Sequence, residues 1–333
     1  MRYRRLGASD LEVSEIGLGS WMDLTDLSGL EQIRACTDAA FDAGINFFDT
    51  ANAYGRGLAE TAWGEVLAGR PRASYVLATK VYMPMSKDPA DRGLSAAQIA
   101  KQIDASLARL RTDHVDLYQA HRFDPDVAIE ETIAAFRAVV ASGKARYVGF
   151  SEWTPTQIEA GVALAGPGLF VASQPQYSML WQAPEREVFP LCAAHGISQI
   201  VWAPLAQGML TGKYHQGRQA PADSRAARSG LVRSMRDLVM NDATFAAVER
   251  LRDVADEAGF TMAELALAWV LRRPELASAI VGATRPEQVI ANARASGVVL
   301  DESTLAAIDL ALGDAAVRQP TLAPYARPGV TRR

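Results

Sequence analysis

Short apolar segments alternate with longer amphipathic stretches along most of the chain. In the segment 45–48, Ile45, Phe47 and Phe48 show no strict two-residue alternation, as expected for a strand covered on both faces in a parallel sheet. Similar segments recur along the chain and predict the strands 16–19, 45–48, 75–79, 115–119, 146–150, 169–174, 198–202 and 278–281.

The stretches between these strands carry apolar residues at helical spacing and end at helix-capping signals. Ser95 is a predicted N-cap with Gln98 as its capping-box partner, Thr154-Pro155 opens another helix, and Gly44 closes the first one. The predicted helices are 29–43, 58–68, 95–110, 127–142, 154–165, 185–195, 243–258, 261–272, 286–295 and 301–312.

This alternation predicts a single (β/α)8 barrel domain, an α/β fold, over residues 1–333. Residues from about 3–15 are expected to form a β-hairpin, 206–240 a long loop after a strand, and 314–333 a proline-containing tail. The alternative is an open doubly wound sheet. Its dinucleotide fingerprint is missing, because Gly17-Leu18-Gly19-Ser20-Trp21 lacks the third glycine.

The composition is that of a globular protein without a charged surface for nucleic acid. The chain has 333 residues, of which 49% are hydrophobic and 22% charged, with a formal net charge of −4. No apolar run approaches the roughly 20 residues of a membrane span, and no apolar segment typical of a signal peptide follows the basic residues at the start. We therefore expect a cytoplasmic protein with no membrane insertion and no nucleic-acid partner.

The metal-binding residue types do not cluster in the sequence. The two cysteines, Cys36 and Cys192, lie in predicted helices and are expected to be reduced core residues. The four histidines form no zinc-binding pattern with each other or with cysteine. We therefore predict no metal site.

Four titratable residues follow three successive predicted strands. Asp49 and Tyr54 come after the second strand, Lys80 after the third, and His121 after the fourth. In a β/α barrel the carboxyl ends of the strands meet at the rim where chemistry is done, so these side chains can converge. Each has an ordinary alternative role when taken alone, as a helix cap, a packing residue or a solvated strand end. Only their joint placement points to catalysis.

Together these residue types suit the reduction of a carbonyl group. Tyr54 can donate the proton that the carbonyl oxygen needs, and the ammonium group of Lys80 would stabilise the phenolate and lower the phenol pKa. Asp49 would keep that ammonium group in place in a dry pocket. His121 would orient and polarise the substrate oxygen.

The segments that carry these residues resemble the aldo-keto reductases, in particular the branch similar to β-subunits of voltage-gated potassium channels. The matching segments include Asp49–Gly55, Ala78-Thr79-Lys80, Asp116–His121 and, near the end, Ile280–Arg285. The N-terminal hairpin matches the plug that covers the barrel floor in this family. The resemblance implies an NADPH-dependent carbonyl reductase with Asp49, Tyr54, Lys80 and His121 as its catalytic tetrad.

The resemblance also implies a cofactor site. Ser151 and Gln174 would bind the nicotinamide carboxamide, and the ring of Trp202 would stack on the nicotinamide. Arg285, at a helix start, would bind the 2′-phosphate, which favours NADP(H) over NAD. The implied cofactor residues are Ser20, Trp21, Asp49, Ser151, Gln174, Trp202, Ala203, Pro204, Leu205, Gln207, Gly208, Lys213, Arg225, Gly282, Thr284, Arg285, Gln288 and Asn292.

Two positions depart from the family pattern. Glu152 stands where the channel β-subunits usually have a basic or neutral residue, and Ala291 stands where a glutamate often meets the adenine. His121 is present where some channel-type members have asparagine, which favours a working enzyme over a redox-sensing regulatory subunit that binds NADP(H). The resemblance also implies a homo-oligomer, a tetramer or octamer.

The substrate is expected to be a small aromatic or aliphatic carbonyl compound. Aromatic and apolar residues after several strands could line a pocket at the rim. A carboxylate-based barrel hydrolase is a third possibility, but no second acid accompanies Asp49 and no Gly-x-Ser-x-Gly segment is present. The proposed pocket residues are Trp21, Tyr54, Tyr82, Met83, His121, Trp153 and Trp181.

Overall fold

A computed structural model describes most of the chain and places it in a single closed barrel with surrounding helices. The described residues are 1–20, 27–217, 219–221, 224, 227 and 241–319. Trp21 and Arg225, both predicted site residues, lie outside them.

Eight parallel strands of the described chain form the barrel, in the order β10-β3-β4-β5-β6-β7-β8-β9. The prediction of a (β/α)8 barrel is therefore confirmed, and the open doubly wound sheet is excluded. The strands are β1 (Tyr3–Arg5), β2 (Glu12–Ser14), β3 (Ile16–Gly19), β4 (Phe47–Asp49), β5 (Val76–Val81), β6 (Val115–Ala120), β7 (Ala145–Phe150), β8 (Phe170–Ser173), β9 (Ser198–Val201) and β10 (Leu276–Val281).

Helices follow most of the barrel strands and cover them from outside. Within the described residues, the last two barrel strands are each followed by two helices. The helices are α1 (Leu30–Asp42), α2 (Leu58–Leu67), α3 (Ala96–Leu110), α4 (Ile129–Ala141), α5 (Pro155–Ala165), α6 (Val188–Ala194), α7 (Asp242–Glu257), α8 (Met262–Leu271), α9 (Pro286–Ala293) and α10 (Glu302–Leu312).

The short strand β4 shows why these segments lack an obvious alternation. Phe47 packs in the cluster that fills the barrel, whereas its neighbour Phe48 packs in the larger cluster between barrel and helices, and both are fully buried. Both faces of the strand are therefore apolar. The strand begins two residues later than predicted and includes Asp49, because Asp49 pairs with Gly19 of β3 and Ala78 of β5.

The hairpin of β1 and β2 covers the floor of the barrel, as the resemblance implied. Leu6, Leu11 and Val13 join the apolar cluster inside the barrel. Gly7 adopts a φ of +56° in the turn, and a Cβ atom there would lie 2.3 Å from the carbonyl oxygen of Val171. Only glycine fits at this point.

A buried carboxylate ties the floor together. Glu15 is 3% exposed. It accepts hydrogen bonds from the guanidinium of Arg4, the hydroxyl of Ser296 and the backbone N–H of Gly297. This end of the barrel is thus held by polar contacts that are separate from those at the opposite rim.

The capping signals were correct with one exception. Thr154 and Gln157 form a full capping box at the start of α5. Ser95 caps α3 by accepting from the Gln98 N–H, but the Gln98 side chain does not complete the box, because its amide donates to the carbonyl of Ala90 in the preceding loop. Gly44 follows α1 with a φ of +80°, as predicted.

The predicted helix 185–195 is shorter in the structure. A 3-10 turn, Ala183–Glu185, comes first, and α6 begins only at Val188. Pro190 has no N–H to donate, so it is tolerated only in the first turn of a helix, which places the helix start near Val188.

No described helix is long and apolar enough to cross a membrane. Within the same ranges, no group of three or more histidine, cysteine or acidic side chains could hold a metal ion. Cys36 and Cys192 are buried and unbridged.

Candidate active site

The four predicted catalytic residues come together at the carboxyl ends of three neighbouring strands. Asp49 ends β4, Lys80 lies near the end of β5, and His121 directly follows β6. Tyr54 lies in a short 3-10 turn after β4. Tyr54, Asp49 and His121 line a cavity of about 630 Å³ that opens at this rim.

Lys80 lies at the centre of the hydrogen-bond network and is fully buried. Its Nζ donates to Asp49 Oδ2 at 2.5 Å, to the Thr50 carbonyl at 2.7 Å and to the Tyr54 hydroxyl at 3.4 Å. An ammonium group has three donors, so all of them are used. Burial lowers the pKa of Lys80, but Asp49 and Tyr54 together outweigh it, and the net pKa is raised. Lys80 is therefore a fixed cation beneath the tyrosine.

The second carboxylate oxygen of Asp49 links the network to the neighbouring strands. Asp49 Oδ1 accepts from Gln119 Nε2 at 3.2 Å and from Gln174 Nε2 at 3.0 Å. The hydroxyl of Ser151 donates to the carbonyl of Gln174 at 2.8 Å. The two residues that the resemblance assigned to the nicotinamide carboxamide are thus held next to each other and joined to Asp49.

Tyr54 differs from the expectation in one respect. Burial raises the pKa of its phenol, and this outweighs the opposing effect of Lys80, so the net pKa lies above its usual 10.0 rather than below it. The ammonium group acts in the predicted direction, but it compensates only part of the desolvation. Tyr54 therefore holds its proton at neutral pH, as a proton donor must.

His121 lies beside the tyrosine in neutral form. Its ring centroid is 5.6 Å from that of Tyr54, with the planes at 78°. Burial, followed by the positive charges of Arg122 and Lys80, holds the pKa of His121 well below its usual range. Its buried Nδ1 has no hydrogen-bond partner within the described chain. A neutral imidazole carries one N–H and can donate one hydrogen bond.

The cavity extends from the tetrad along the ends of β7 to β10. Most of the predicted cofactor residues lie on its wall, although they come from distant parts of the sequence. They are Asp49, Ser151, Gln174, Trp202, Ala203, Pro204, Leu205, Gln207, Gly208, Lys213, Gly282, Thr284, Arg285, Gln288 and Asn292.

Strained backbone concentrates at this rim. Glu152, Ala203, Ala206 and Gln207 have φ values of +59°, +53°, +46° and +57°, in the left-handed region that ordinary residues avoid. All four follow the ends of β7 or β9. Such conformations persist where the surrounding structure enforces them, often at functional sites.

The far end of the cavity has the features of a phosphate-binding site. Arg285 is the N-cap residue of α9, whose first backbone N–H groups point toward an incoming anion. Gln288 Oε1 accepts from the Thr284 N–H at 2.8 Å and shapes this entrance. Lys213 brings a second positive charge to the wall. An aromatic ring at one end and cations with a helix N-terminus at the other fit a nicotinamide dinucleotide.

Besides Lys80, which is buried beneath Tyr54, four of the described predicted site residues do not line the cavity, and three of these four are proposed substrate-pocket residues. Trp153 is 4% exposed, and its ring stacks on that of Phe150 with 4.8 Å between the ring centroids. Trp181 is buried against the C-terminal segment and forms a β-bridge with Val317. Tyr82 packs under Arg92 outside the cavity lining. Ser20, the fourth, is a predicted cofactor residue; it is buried and donates to the Thr50 hydroxyl at 2.7 Å.

Other cavity residues were missed. Arg122 follows His121 directly, so its place after a strand end could have identified it. Thr211 and Ala263 also line the cavity. They come from the segment after β9 and from the start of α8, and no local pattern in the sequence marks them.

A closed β/α barrel whose rim carries this set of groups places the protein among barrel oxidoreductases. A model of the aldo/keto reductase family matches residues 15–312, and the chain belongs to that family. It is 38% identical, over 308 residues, to a probable voltage-gated potassium channel subunit beta of Arabidopsis thaliana, covering 90% of this chain and 92% of the relative.

Other relatives are named as enzymes. The chain is 34% identical to the L-glyceraldehyde 3-phosphate reductase of Escherichia coli over 324 residues, or 94% of this chain and 93% of the relative. It is 37% identical to an uncharacterised oxidoreductase of Bacillus subtilis over 320 residues, or 92% of this chain and 94% of the relative.

Proposed function

We propose that the protein reduces aldehydes or ketones to alcohols with NADPH. The observation that carries this proposal is the buried chain of contacts from Asp49 through Lys80 to the Tyr54 hydroxyl, with a neutral His121 beside it, at one end of a long cavity. It supplies a proton donor and an oxygen-binding group at the same place.

Each residue of the tetrad has a distinct role. Tyr54 donates its proton to the carbonyl oxygen as the alcohol forms. Lys80 stabilises the phenolate left behind, and Asp49 compensates the charge of Lys80 in the dry interior. His121 donates a hydrogen bond to the carbonyl oxygen and orients it. The reduced nicotinamide, when bound, would supply the hydride.

The remaining cavity wall would hold the cofactor. Trp202 provides a flat apolar surface for the nicotinamide, and Ser151 and Gln174 provide polar groups next to it. Lys213 and Arg285 provide positive charge for the phosphates. The guanidinium of Arg285 at the start of α9 supports NADPH over NADH, since only NADPH carries the 2′-phosphate.

The substrate class is best described as small aldehydes. Met83 and Arg122 lie on the wall of the cavity that His121 also lines, so one apolar and one cationic side chain would face a bound carbonyl compound. One relative is named for the reduction of a phosphorylated aldehyde. We therefore include L-glyceraldehyde 3-phosphate with 4-nitrobenzaldehyde and methylglyoxal as test substrates.

The test measures carbonyl-dependent oxidation of NADPH and NADH by three proteins. The wild type should reduce at least one test aldehyde and prefer NADPH. Tyr54→Phe should lose at least about a hundredfold in kcat, the range typical of a missing general acid, while it still binds NADPH. Tyr147→Phe is the control, since Tyr147 contacts Asp10 at the barrel floor. Equal loss in both variants would contradict the proposed role of Tyr54.

A second candidate function is an NADP(H)-binding regulatory subunit with little turnover. The relatives named as potassium channel β-subunits favour it. Tight NADPH binding by the wild type with no reduction of any carbonyl compound would support this alternative. The tetramer or octamer stays a prediction that sedimentation velocity can test.

A further inference from the structure

A carboxyl group behind the cavity wall joins three strand ends. Glu152 follows β7, and its Oε1 accepts from the indole N–H of Trp202 at 2.8 Å and from the backbone N–H of Gln176 at 2.5 Å. Trp202 follows β9 and Gln176 follows β8. One oxygen atom therefore fixes the relative positions of three consecutive barrel strands at the rim.

The contact reaches the cavity through Trp202. Trp202 and Ser151 line the cavity, whereas Glu152, which is partly buried, does not. The hydrogen bond engages the indole N–H, in the plane of the ring. It therefore restricts rotation of the ring about the bond that joins it to the chain.

The backbone on both sides of this contact is held in unfavourable conformations. Glu152 has a φ of +59°, and Ala203, next to Trp202, has a φ of +53°. Left-handed backbone is rare for residues other than glycine, asparagine and aspartate. The chain maintains it at the two positions that bring the carboxyl group and the indole together.

The electrostatic surroundings suit a hydrogen-bond acceptor at this position. Burial raises the pKa of the Glu152 carboxyl, against the positive charge of Arg122 and the two N–H donors. Both protonation states keep an oxygen able to accept from Trp202. Glutamine, which also carries an acceptor oxygen, should therefore replace glutamate with little effect.

We propose that Glu152 is a positioning residue that holds the indole ring of Trp202 in the orientation that receives the nicotinamide. The inference rests on the proposed function for the identity of the ligand. It assigns a role to one of the two residues that depart from the family pattern implied by the resemblance.

The experiment compares substitutions of similar size that differ in the acceptor. Glu152→Gln keeps an acceptor oxygen, whereas Glu152→Met fills the space without one. We expect the dissociation constant for NADPH to rise about tenfold in Glu152→Met and less than about threefold in Glu152→Gln, as for loss of a partly buried hydrogen bond. Binding is measured by energy transfer from tryptophan to NADPH, without carbonyl substrate.

The Trp202→Phe background separates positioning from general stability. It removes the indole N–H but leaves the contact between Glu152 and the Gln176 N–H. In this background Glu152→Met should change the dissociation constant less than about twofold, because the contact is already lost. An undiminished tenfold effect there would overturn the proposal.

A second readout needs no cofactor. The emission of Trp202 is obtained as the difference between proteins with and without Trp202→Phe. Its accessibility to acrylamide should increase in Glu152→Met and stay unchanged in Glu152→Gln. Unchanged accessibility and unchanged NADPH binding in Glu152→Met would also overturn the proposal.

The controls address folding and the proposed reaction. Glu15→Gln alters a buried, hydrogen-bonded carboxylate at the opposite end of the barrel and should leave NADPH binding unchanged. Where Glu152→Met does not fold, Glu152→Asp, which withdraws the oxygens by one methylene, must show the same two changes. A wild type that binds NADPH but reduces no carbonyl refutes the proposed reaction, while these binding and emission measurements still decide the role of Glu152.

Discussion

The buried ion pair of Lys80 and Asp49 offers a quantitative test of the site. The Lys80 side chain is 0% exposed and that of Asp49 is 4% exposed, with 2.5 Å between Nζ and Oδ2. Asp49→Asn removes the negative charge and leaves an ammonium group buried without compensation. Breaking such a pair costs about 3–5 kcal/mol of unfolding free energy.

The surface of the same protein supplies a matched pair. Lys144 and Asp104 also lie 2.5 Å apart, but their side chains are 39% and 58% exposed. Solvent screens this pair, so Asp104→Asn should cost at most about 1 kcal/mol. The two pairs have the same charges and separation and differ in burial.

Urea unfolding of the two double-mutant cycles is the assay. Asp49→Asn combined with Lys80→Met should be more stable than the sum of the single changes predicts, by about 2 kcal/mol or more, since the double variant leaves no uncompensated charge. The cycle of Asp104→Asn and Lys144→Met should give a coupling below about 1 kcal/mol. Equal couplings in both cycles would refute the view that burial makes the pair at the site strong.

Three further predictions follow from the titrating groups and the barrel floor. In the proposed reaction, alcohol oxidation requires the Tyr54 phenolate, and burial raises the pKa of this phenol. The oxidation rate should therefore still be increasing at pH 10, while the reduction rate stays flat. An oxidation plateau below pH 9, about a unit under the usual tyrosine pKa, would contradict this. The pKa of His121 is lowered in the folded protein, so this residue's contribution to stability is complete above pH 6.5 and is lost as the pH falls. Arg122→Gln should raise the pKa of His121, because it removes a nearby positive charge. An unchanged imidazole titration by NMR would refute the role of Arg122. Gly7→Ala should lower the free energy of unfolding by more than about 1 kcal/mol, and by more than Gly143→Ala does. Gly143 also has a positive φ, but the space around it is open. Equal unfolding midpoints of the two variants would show that the close contact of Gly7 at the barrel floor is unimportant.

The barrel could be predicted because the sequence pattern that indicates it is local and is repeated along the chain. Apolar segments such as 45–48 alternate with amphipathic helices, and this pattern follows from burial of each strand on both faces. The proximity of the four predicted catalytic residues could be expected for the same reason, since the carboxyl ends of parallel strands must meet. The ends of strands and helices were predicted less accurately. The end of β4 depends on the pairing of Asp49 with neighbouring strands, and the start of α6 depends on Pro190.

Side-chain direction could not be read from position in the chain. Trp153 and Trp202 both follow strand ends, yet one packs in the core and the other lines the cavity. The outcome depends on the loop conformation, including the positive φ values of Glu152 and Ala203. The direction of the Tyr54 pKa shift could not be predicted for a similar reason. It depends on how deeply the phenol is buried, and no sequence motif specifies that burial.

Transfer of deuterium from labelled NADPH to the aldehyde tests the central claim most directly. Wild-type protein is incubated with 4-nitrobenzaldehyde and with NADPH in which both hydrogens at C4 of the nicotinamide are deuterium. The alcohol is then analysed by mass spectrometry. The account predicts deuterium on the former carbonyl carbon with wild type and Tyr147→Phe, and almost none with Tyr54→Phe. Alcohol without deuterium, or equal transfer by Tyr54→Phe, would contradict it.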